Sequence, residues 1–311
     1  MRCVAGRGSV GRQVLSSTPP RSTTKHPTRT LVLLAAPALL ALGLALPASA
    51  SAATSATCTK SGYGASCGPY GDKSITFSNG SDTYVEDNCW GEPKCTYTIN
   101  SRSADDWSVT DPGDEAAGST AVATYPNVQQ LTDNYDSATH TWGNGSADTP
   151  LSGVKTIHSS FKESMPHNSG TIAEFGYDIW TNYPSDVMIW TDNVNRGTGG
   201  ATKIGTMSYG GQHFTVYVNG TVAAGGEIIF SLDGNNGKRR SGFANETHGT
   251  VHILATLGWL QRYMTAHGYS NYASELGQVG QVDAGWEICS SGGTSETFSM
   301  SSYTLRATAR S

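Results

Sequence analysis

Residues 171–180 read TIAEFGYDIW and residues 185–190 read SDVMIW, two runs whose side chains sort cleanly by parity. In an extended chain successive side chains point to opposite faces. Phe175, Tyr177 and Ile179 therefore line one face of the first run, and Glu174, Gly176, Asp178 and Trp180 line the other. In the second run Val187 and Ile189 oppose Asp186, Met188 and Trp190. One face is a core. The other is a row of acids and rings, and acids are disfavoured in strands unless they meet water or do chemistry. A third run, GWEICSS at 285–291, puts Glu287 and Cys289 on the face opposite Trp286 and Ile288.

The rest of the chain keeps the same rhythm. SITFS (74–78), DTYVEDNCW (82–90), TYTIN (96–100), WSVT (107–110), HFTVYV (213–218), GEIIFSL (226–232), QVDAGWEI (281–288) and TFSMSSYTL (297–305) are short strand-like segments. Polar turn sequences such as SNGSD, DPGD and LDGNNG separate them, as hairpins require. Regular short strands predict an all-β, two-sheet antiparallel jelly-roll sandwich. The exception is TVHILATLGWLQRYMTAHG (250–268), where Val251, Leu254, Leu257, Trp259 and Leu260 recur at helical intervals and Gly268 marks a stop. One packed α-helix is expected there. No internal repeat or dividing linker is present, so residues 54–311 read as one domain.

Residues 1–53 read as a secretory signal. Arg2, Arg7, Arg12, Arg21, Lys25 and Arg29 precede the apolar run that begins at Leu31, and PASASA supplies a cleavage pattern after Ala50 or Ala53. The alternative is a membrane anchor, for which the run is nearly long enough, but no stop-transfer segment follows. Removing the six leader cations leaves 14 Lys and Arg against 25 Asp and Glu, a net charge of -11. So acidic a chain is a poor ligand for nucleic acid or anionic lipid. Cys3 leaves with the leader, so Cys58, Cys67, Cys89, Cys95 and Cys289 remain. An oxidising compartment favours disulfides over metal binding, with one cysteine left over and the pairing open.

Rings stack on the apolar faces of sugars while acids take their hydroxyls, so the acid-and-ring faces point to a carbohydrate site. Glycoside hydrolysis needs two carboxyl groups flanking the bond, one protonated and one ionised. NCWG (88–91), TYPNV (124–128), YDIW (177–180), DVMIW (186–190) and AGWEICSSGG (284–293) occur in the order found in glycoside hydrolase family 12. The chain resembles that family from about Cys67 to Leu305. The resemblance implies a jelly roll with a concave cleft and retaining endo-hydrolysis of β-1,4-glucans: cellulose, mixed-linkage glucan or xyloglucan. It implies Asp186 as nucleophile, Glu287 as acid/base with a raised pKa, and Asp178 as the aspartate that bonds the nucleophile. Asn88, Trp90, Trp180, Met188, Trp190, Glu174 and Cys289 would line the substrate site, Glu174 as a subsite acid. The family's N-terminal disulfide falls on Cys67 and Cys95, leaving Cys58 with Cys89 for a second bridge. The implied partner is a β-glucan, acted on by an extracellular monomer without cofactor.

Two positions depart from the family pattern. Asp186 stands where the family has Glu, and Cys289 where it often has an aromatic residue. Losing a methylene withdraws a carboxylate by about 1.5 Å, against a spacing of roughly 5 to 5.5 Å for a retaining pair and 6.5 to 9.5 Å for an inverting one. Misplacement by about 1 Å can cost on the order of a hundredfold in rate. A sugar-binding jelly roll without catalysis is therefore the alternative function.

Other signals are weaker. His248 and His252, four apart on the expected helix, lack a third metal ligand. DPGDE (111–115) has the composition of a solvated turn rather than a calcium loop. No hydrolase triad is recognisable. The sequons at Asn79, Asn144, Asn219 and Asn245 mark surface loops, and Trp107 and Trp259 are expected in the core.

Overall fold

The computed structural model describes residues 57–71, 82–91, 95–113, 115, 118–131, 135–136, 141–142, 151–234 and 246–310. The leader, the SITFS segment and the sequons at Asn79, Asn144 and Asn245 lie outside the described residues. In chain order the strands are β1 (Cys58–Ser61), β2 (Ser66–Gly71), β3 (Asp82–Glu86), β4 (Thr98–Ser103), β5 (Asp106–Asp111) and β6 (Asn127–Leu131). They continue with β7 (Tyr135–Asp136), β8 (Thr141–Trp142), β9 (Val154–Ser164), β10 (Thr171–Trp180), β11 (Val187–Val194) and β12 (Thr202–Tyr209). The last are β13 (Gln212–Asn219), β14 (Glu227–Leu232), β15 (His248–Val251), β16 (Gln281–Ser291) and β17 (Glu296–Ala309).

A six-stranded sheet runs β1-β4-β5-β17-β9-β15, and a nine-stranded sheet runs β12-β13-β14-β11-β10-β16-β6-β3-β2. Neighbours are antiparallel except β11 and β14, which run parallel. The sheets stack as a sandwich over one core, to which both contribute the residues of a single parity. Phe175, Tyr177 and Ile179 of β10, Val187 and Ile189 of β11, and Val282, Ala284, Trp286 and Ile288 of β16 all point inward. Trp286 is its wedge: fully buried, it meets Trp107 with ring centroids 5.0 Å apart, Phe175 at 5.6 Å and Phe298 at 5.9 Å. The two-sheet architecture is the expected one.

The helical region differs in detail. α1 spans Ile253–Ala266 and buries Ile253, Leu257, Leu260 and Met264, a stripe at i, i+4, i+7 and i+11. A second short helix, α2 (Ser270–Glu275), follows after Gly268, whose φ of 83° lies in the left-handed region that suits glycine. Val251 belongs to β15, His248 begins that strand and His252 caps α1, so the two histidines do not share a helix face. The segment His248–Val251, which ends in β-branched Thr250 and Val251, pairs with β9 instead, a tertiary ladder that overrides helical spacing.

Two further expectations are corrected. The disulfides are Cys58–Cys67 and Cys89–Cys95, not Cys67–Cys95 and Cys58–Cys89. β1 and β2 lie in different sheets, and their cysteines approach to a Cα separation of 6.0 Å; Cys89 and Cys95 stand 5.9 Å apart across their own loop. Both Cα separations lie in the range that a disulfide spans. Nor is DPGDE a solvated turn. Asp111 and Glu115 are buried, with Tyr97 and Ser291 each donating a hydroxyl to Glu115 at 2.8 Å. Burial, then the adjacent Glu115, pushes Asp111 up to about 9.

A polar link crosses the core. Glu163 of β9 accepts the indole N–H of Trp286 at 3.0 Å, and Asp192 of β11 accepts from or donates to His167 at 2.9 Å. Burial and the charge of Asp192 push the Glu163 carboxyl up from 4.5 to about 9. The native chain thus holds a proton between those pH values that the unfolded chain has released, and unfolding becomes easier as pH rises through that window. Urea unfolding from pH 5 to 9 should show this slope, and Glu163→Gln should flatten it; an unchanged slope in the variant contradicts the assignment.

Candidate active site

The outer face of the nine-stranded sheet carries the acids. Register sets them in rows across β10 and β16: Glu174 opposite Glu287, Gly176 opposite Gly285, and Asp178 opposite Asp283. On the other side of β10, Asp178 faces Met188 and Gly176 faces Trp190. The middle row has to be glycine. A β-carbon at Gly176 would lie 3.0 Å from the Trp190 ring, and one at Gly285 would lie 2.0 Å from the Pro126 carbonyl oxygen. Gly176 leaves the space beside the Trp190 ring, and Gly285 admits the Pro126 carbonyl.

Asp186 sits just before β11, half-buried, and its carbonyl accepts the N–H of Ile228 at 3.4 Å, which continues the parallel ladder and brings Glu227 of β14 alongside. Glu287 lies level with Asn193 through Glu174. On a flat sheet about six strand positions would hold Asp186 and Glu287 roughly 20 Å apart. The charge of Glu287 is nevertheless among the causes that raise Asp186.

Burial dominates the electrostatics. Asp186 is held well above the ordinary carboxylate range by burial, then by the charges of Glu227 and Glu287. Asp178 is raised by burial, then by Asp186, Glu287 and Asp283. Asp283 is raised by burial, although Gln281 and Trp180 donate to it at 2.6 and 3.1 Å. Glu227 is raised by burial and by Glu287, partly offset by an Asn219 amide at 3.1 Å. At the other end Arg196 provides a cation. Its guanidinium pairs with Glu174 at 2.6 Å and Glu287 at 2.5 Å, and its centre lies 5.2 Å over the Trp190 ring.

The expected site residues therefore part company. Asp178, Asp186 and Glu287 share one electrostatic cluster. Trp180 is held at its rim by Asp283, and Asn88 and Trp90 are exposed, Trp90 at 39%. Gly91 fixes that loop by closing on the Val122 carbonyl, where a β-carbon would come within 2.0 Å. Three other assignments change. Met188 and Trp190 keep only 1% and 3% of their surface, packed with Ile229 and Tyr217 beneath Arg196, so they support the floor rather than offering a platform to a sugar. Glu174 is wholly buried and serves as an anchor for Arg196. Cys289 lies outside both disulfides and is fully buried with no surface for substrate, because the strand-like segment Ala123–Thr124 runs beside it, bonded to Ile288.

Sequence reasoning missed Asp283, Glu227, Tyr125 and Arg196. Asp283 shares parity with Glu287 in QVDAGWEI, and Glu227 opposes Ile228 in GEIIFSL, so the alternation already used would have found both. Tyr125 lies in TYPNV; its phenol is kept protonated by burial and by Asp178, Asp283 and Glu287. Arg196 follows β11 with no periodicity to flag it. Asn195 precedes it with φ of 55°, and the Asn195 amide bonds the carbonyls of Asn168 and Thr171 at 3.1 and 2.8 Å, a turn that aims Arg196 back over the face.

No protein-family model matches the chain, and no curated protein matches it. Solved structures do. The xyloglucanase domain of NopAA, a type three effector from Sinorhizobium fredii in complex with cellobiose, superposes with a TM-score of 0.57 at 20% identity, over 81% of this chain and 99% of that one. A family 12 xyloglucanase from Bacillus licheniformis gives 0.53 at 21%, over 81% and 100%. A metagenome-derived glycoside hydrolase family 12 endoglucanase gives 0.57 at 18%, over 82% and 99%. The chain has the sandwich fold of family 12 glycoside hydrolases.

Breaking a buried ion pair from one side costs about 3–5 kcal/mol. Glu174→Ala should lower stability by that order in urea unfolding, whereas a surface change such as Arg102→Ala, in an exposed pair, should move it by less than about 1 kcal/mol.

Proposed function

We propose that the protein is a secreted endo-acting glycoside hydrolase that cleaves β-1,4-glucans with Asp186 and Glu287 as the flanking acids and Asp178 as the partner of Asp186. The observation that carries this reading is the electrostatic cluster itself. Register sets Asp178 and Glu287 on one face of β10 and β16, and burial with the charges of Asp186 and Glu287 raises Asp178, on the outer face of a sandwich shared with family 12 enzymes. Two carboxyl groups in distinct environments, one walled by acids and one beside a guanidinium, are what glycoside hydrolysis uses. The exposed Trp90 beside this face supplies a ring for a pyranose. That one similar structure was solved with cellobiose fits a β-glucan ligand here. The two disulfides suit an exported chain.

Purified protein should release reducing ends from at least one of carboxymethyl-cellulose, mixed-linkage glucan and xyloglucan. Asp186→Asn and Glu287→Gln should each lower kcat/KM by about a hundredfold or more. Trp90→Ala should chiefly raise KM. Retarded migration in glucan gels without any reducing ends would instead identify a sugar-binding protein.

A further inference from the structure

A cavity of about 650 Å³ lies between α1, the first residues of β9 and the last of β12, and none of the acids of the outer face lines it. Its size falls within the roughly 300 to 1,000 Å³ that small-molecule sites occupy. Leu151, Ile157 and Met207 form a buried apolar floor. Two glycines seat rings from α1 and its cap along one wall. A β-carbon at Gly205 would lie 2.9 Å from the Trp259 ring, and one at Gly210 would lie 2.8 Å from the His252 ring. His252 in turn meets the Tyr209 ring edge to face, with centroids 4.9 Å apart.

The charge of this cavity is opposite to that of the chain. Lys155, Arg262 and Arg310 stand on its walls, three of the nine lysines and arginines among the described residues, and no aspartate or glutamate lines it. The whole chain has a net charge of -5, so these cations are concentrated against the trend. Among the described residues none of the three takes part in an ion pair. Arg310 is fixed by backbone acceptors, its Nε donating to the Val154 carbonyl at 3.1 Å and its N–H to the Gly153 carbonyl at 2.9 Å. The far end of its guanidinium is left for another acceptor. Tyr209 is 50% exposed, and only Tyr63 and Trp90 among the described residues are large apolar side chains as open as this class.

An occupant suited to these walls brings an anion for the cations, an apolar face for Tyr209 and hydroxyls for Ser208 and Gln261, which also line the cavity. An inorganic anion leaves the ring unused, and a glutamate-rich peptide brings charge without a face to lay on it. A pyranose with a carboxylate has all three. We propose that this cavity is a binding site for an acidic saccharide, a sugar bearing a uronic acid, with the carboxylate received by Lys155, Arg262 and Arg310 and the pyranose ring lying on Tyr209. A guanidinium presents two parallel N–H donors to a carboxylate, which gives the contact direction as well as charge. The phenol ring covers the apolar face of the sugar. Such a site tethers the chain to an acidic polysaccharide through residues separate from the acids of the outer face.

Calorimetric titration of the full chain with xylotriose bearing a single 4-O-methylglucuronic acid, against bare xylotriose, isolates the contribution of the carboxylate. The acidic sugar should bind about tenfold more tightly or better, and its affinity should fall as sodium chloride rises from about 50 to about 500 mM. Arg262→Ala, Lys155→Ala and Tyr209→Ala should each weaken it by about fivefold or more. All three side chains are exposed, so the variants keep the core. Arg102→Ala, which removes an exposed cation from another part of the surface, should leave the affinity unchanged. Equal affinity for the two sugars, no loss in Arg262→Ala and Lys155→Ala, or an equal loss in Arg102→Ala overturns the proposal. Sodium phosphate or hexaglutamate bound as tightly as the acidic sugar overturns the saccharide as occupant. The titration requires no hydrolysis, so its failure leaves the hydrolase reading standing, and a chain inactive on glucans is still expected to bind the acidic sugar here.

Discussion

Like charges cannot be gathered on a buried face unless each is paired, protonated or given up. That constraint shapes the outer face of the nine-stranded sheet. Glu174 and Glu287 meet it through Arg196, and burial raises the carboxyls of Asp178, Asp186, Asp283 and Glu227. Two electrostatic environments therefore coexist on one surface, one with a cation and one without. A site that must keep one carboxyl charged and another neutral at the same pH needs that division.

The core makes the division possible. Trp286, Phe175, Tyr177 and Ile179 fill the space between the sheets, and because parity is strict, every residue between them in β10 and β16 is driven to the opposite face. Gly176 then leaves space beside the Trp190 ring, and Trp190 becomes the floor for Arg196. Packing on one side of the sheet thus dictates chemistry on the other. Inside, the indole N–H of Trp286 on Glu163 joins strands of the two sheets, and burial with the charge of Asp192 raises the Glu163 carboxyl.

The face on which Asp178 and Glu287 stand was legible because alternation marks it, and the structure sets both on that side of β10 and β16. Met188, Trp190 and Cys289 were placed on the correct face but assigned an exposure they lack, since parity tells which side a residue faces and not what covers it. Arg196 was invisible. It follows the strand rather than belonging to it, and only the turn at Asn195 sends it back across the face.

The sequence by itself determined the class of fold and the side of each strand on which acids and rings stand, because both follow from a local period of two residues. It did not determine which strands are neighbours, which cysteines meet, or which acid receives the guanidinium. Cys58 finds Cys67, at a sequence separation of 9, where β1 and β2 enter different sheets, and Glu287 finds Arg196 through β10 and β11. The first depends on which sheet each strand joins, and the second joins segments far apart in the chain. No local pattern encodes either, and they exist only once the sheets have paired.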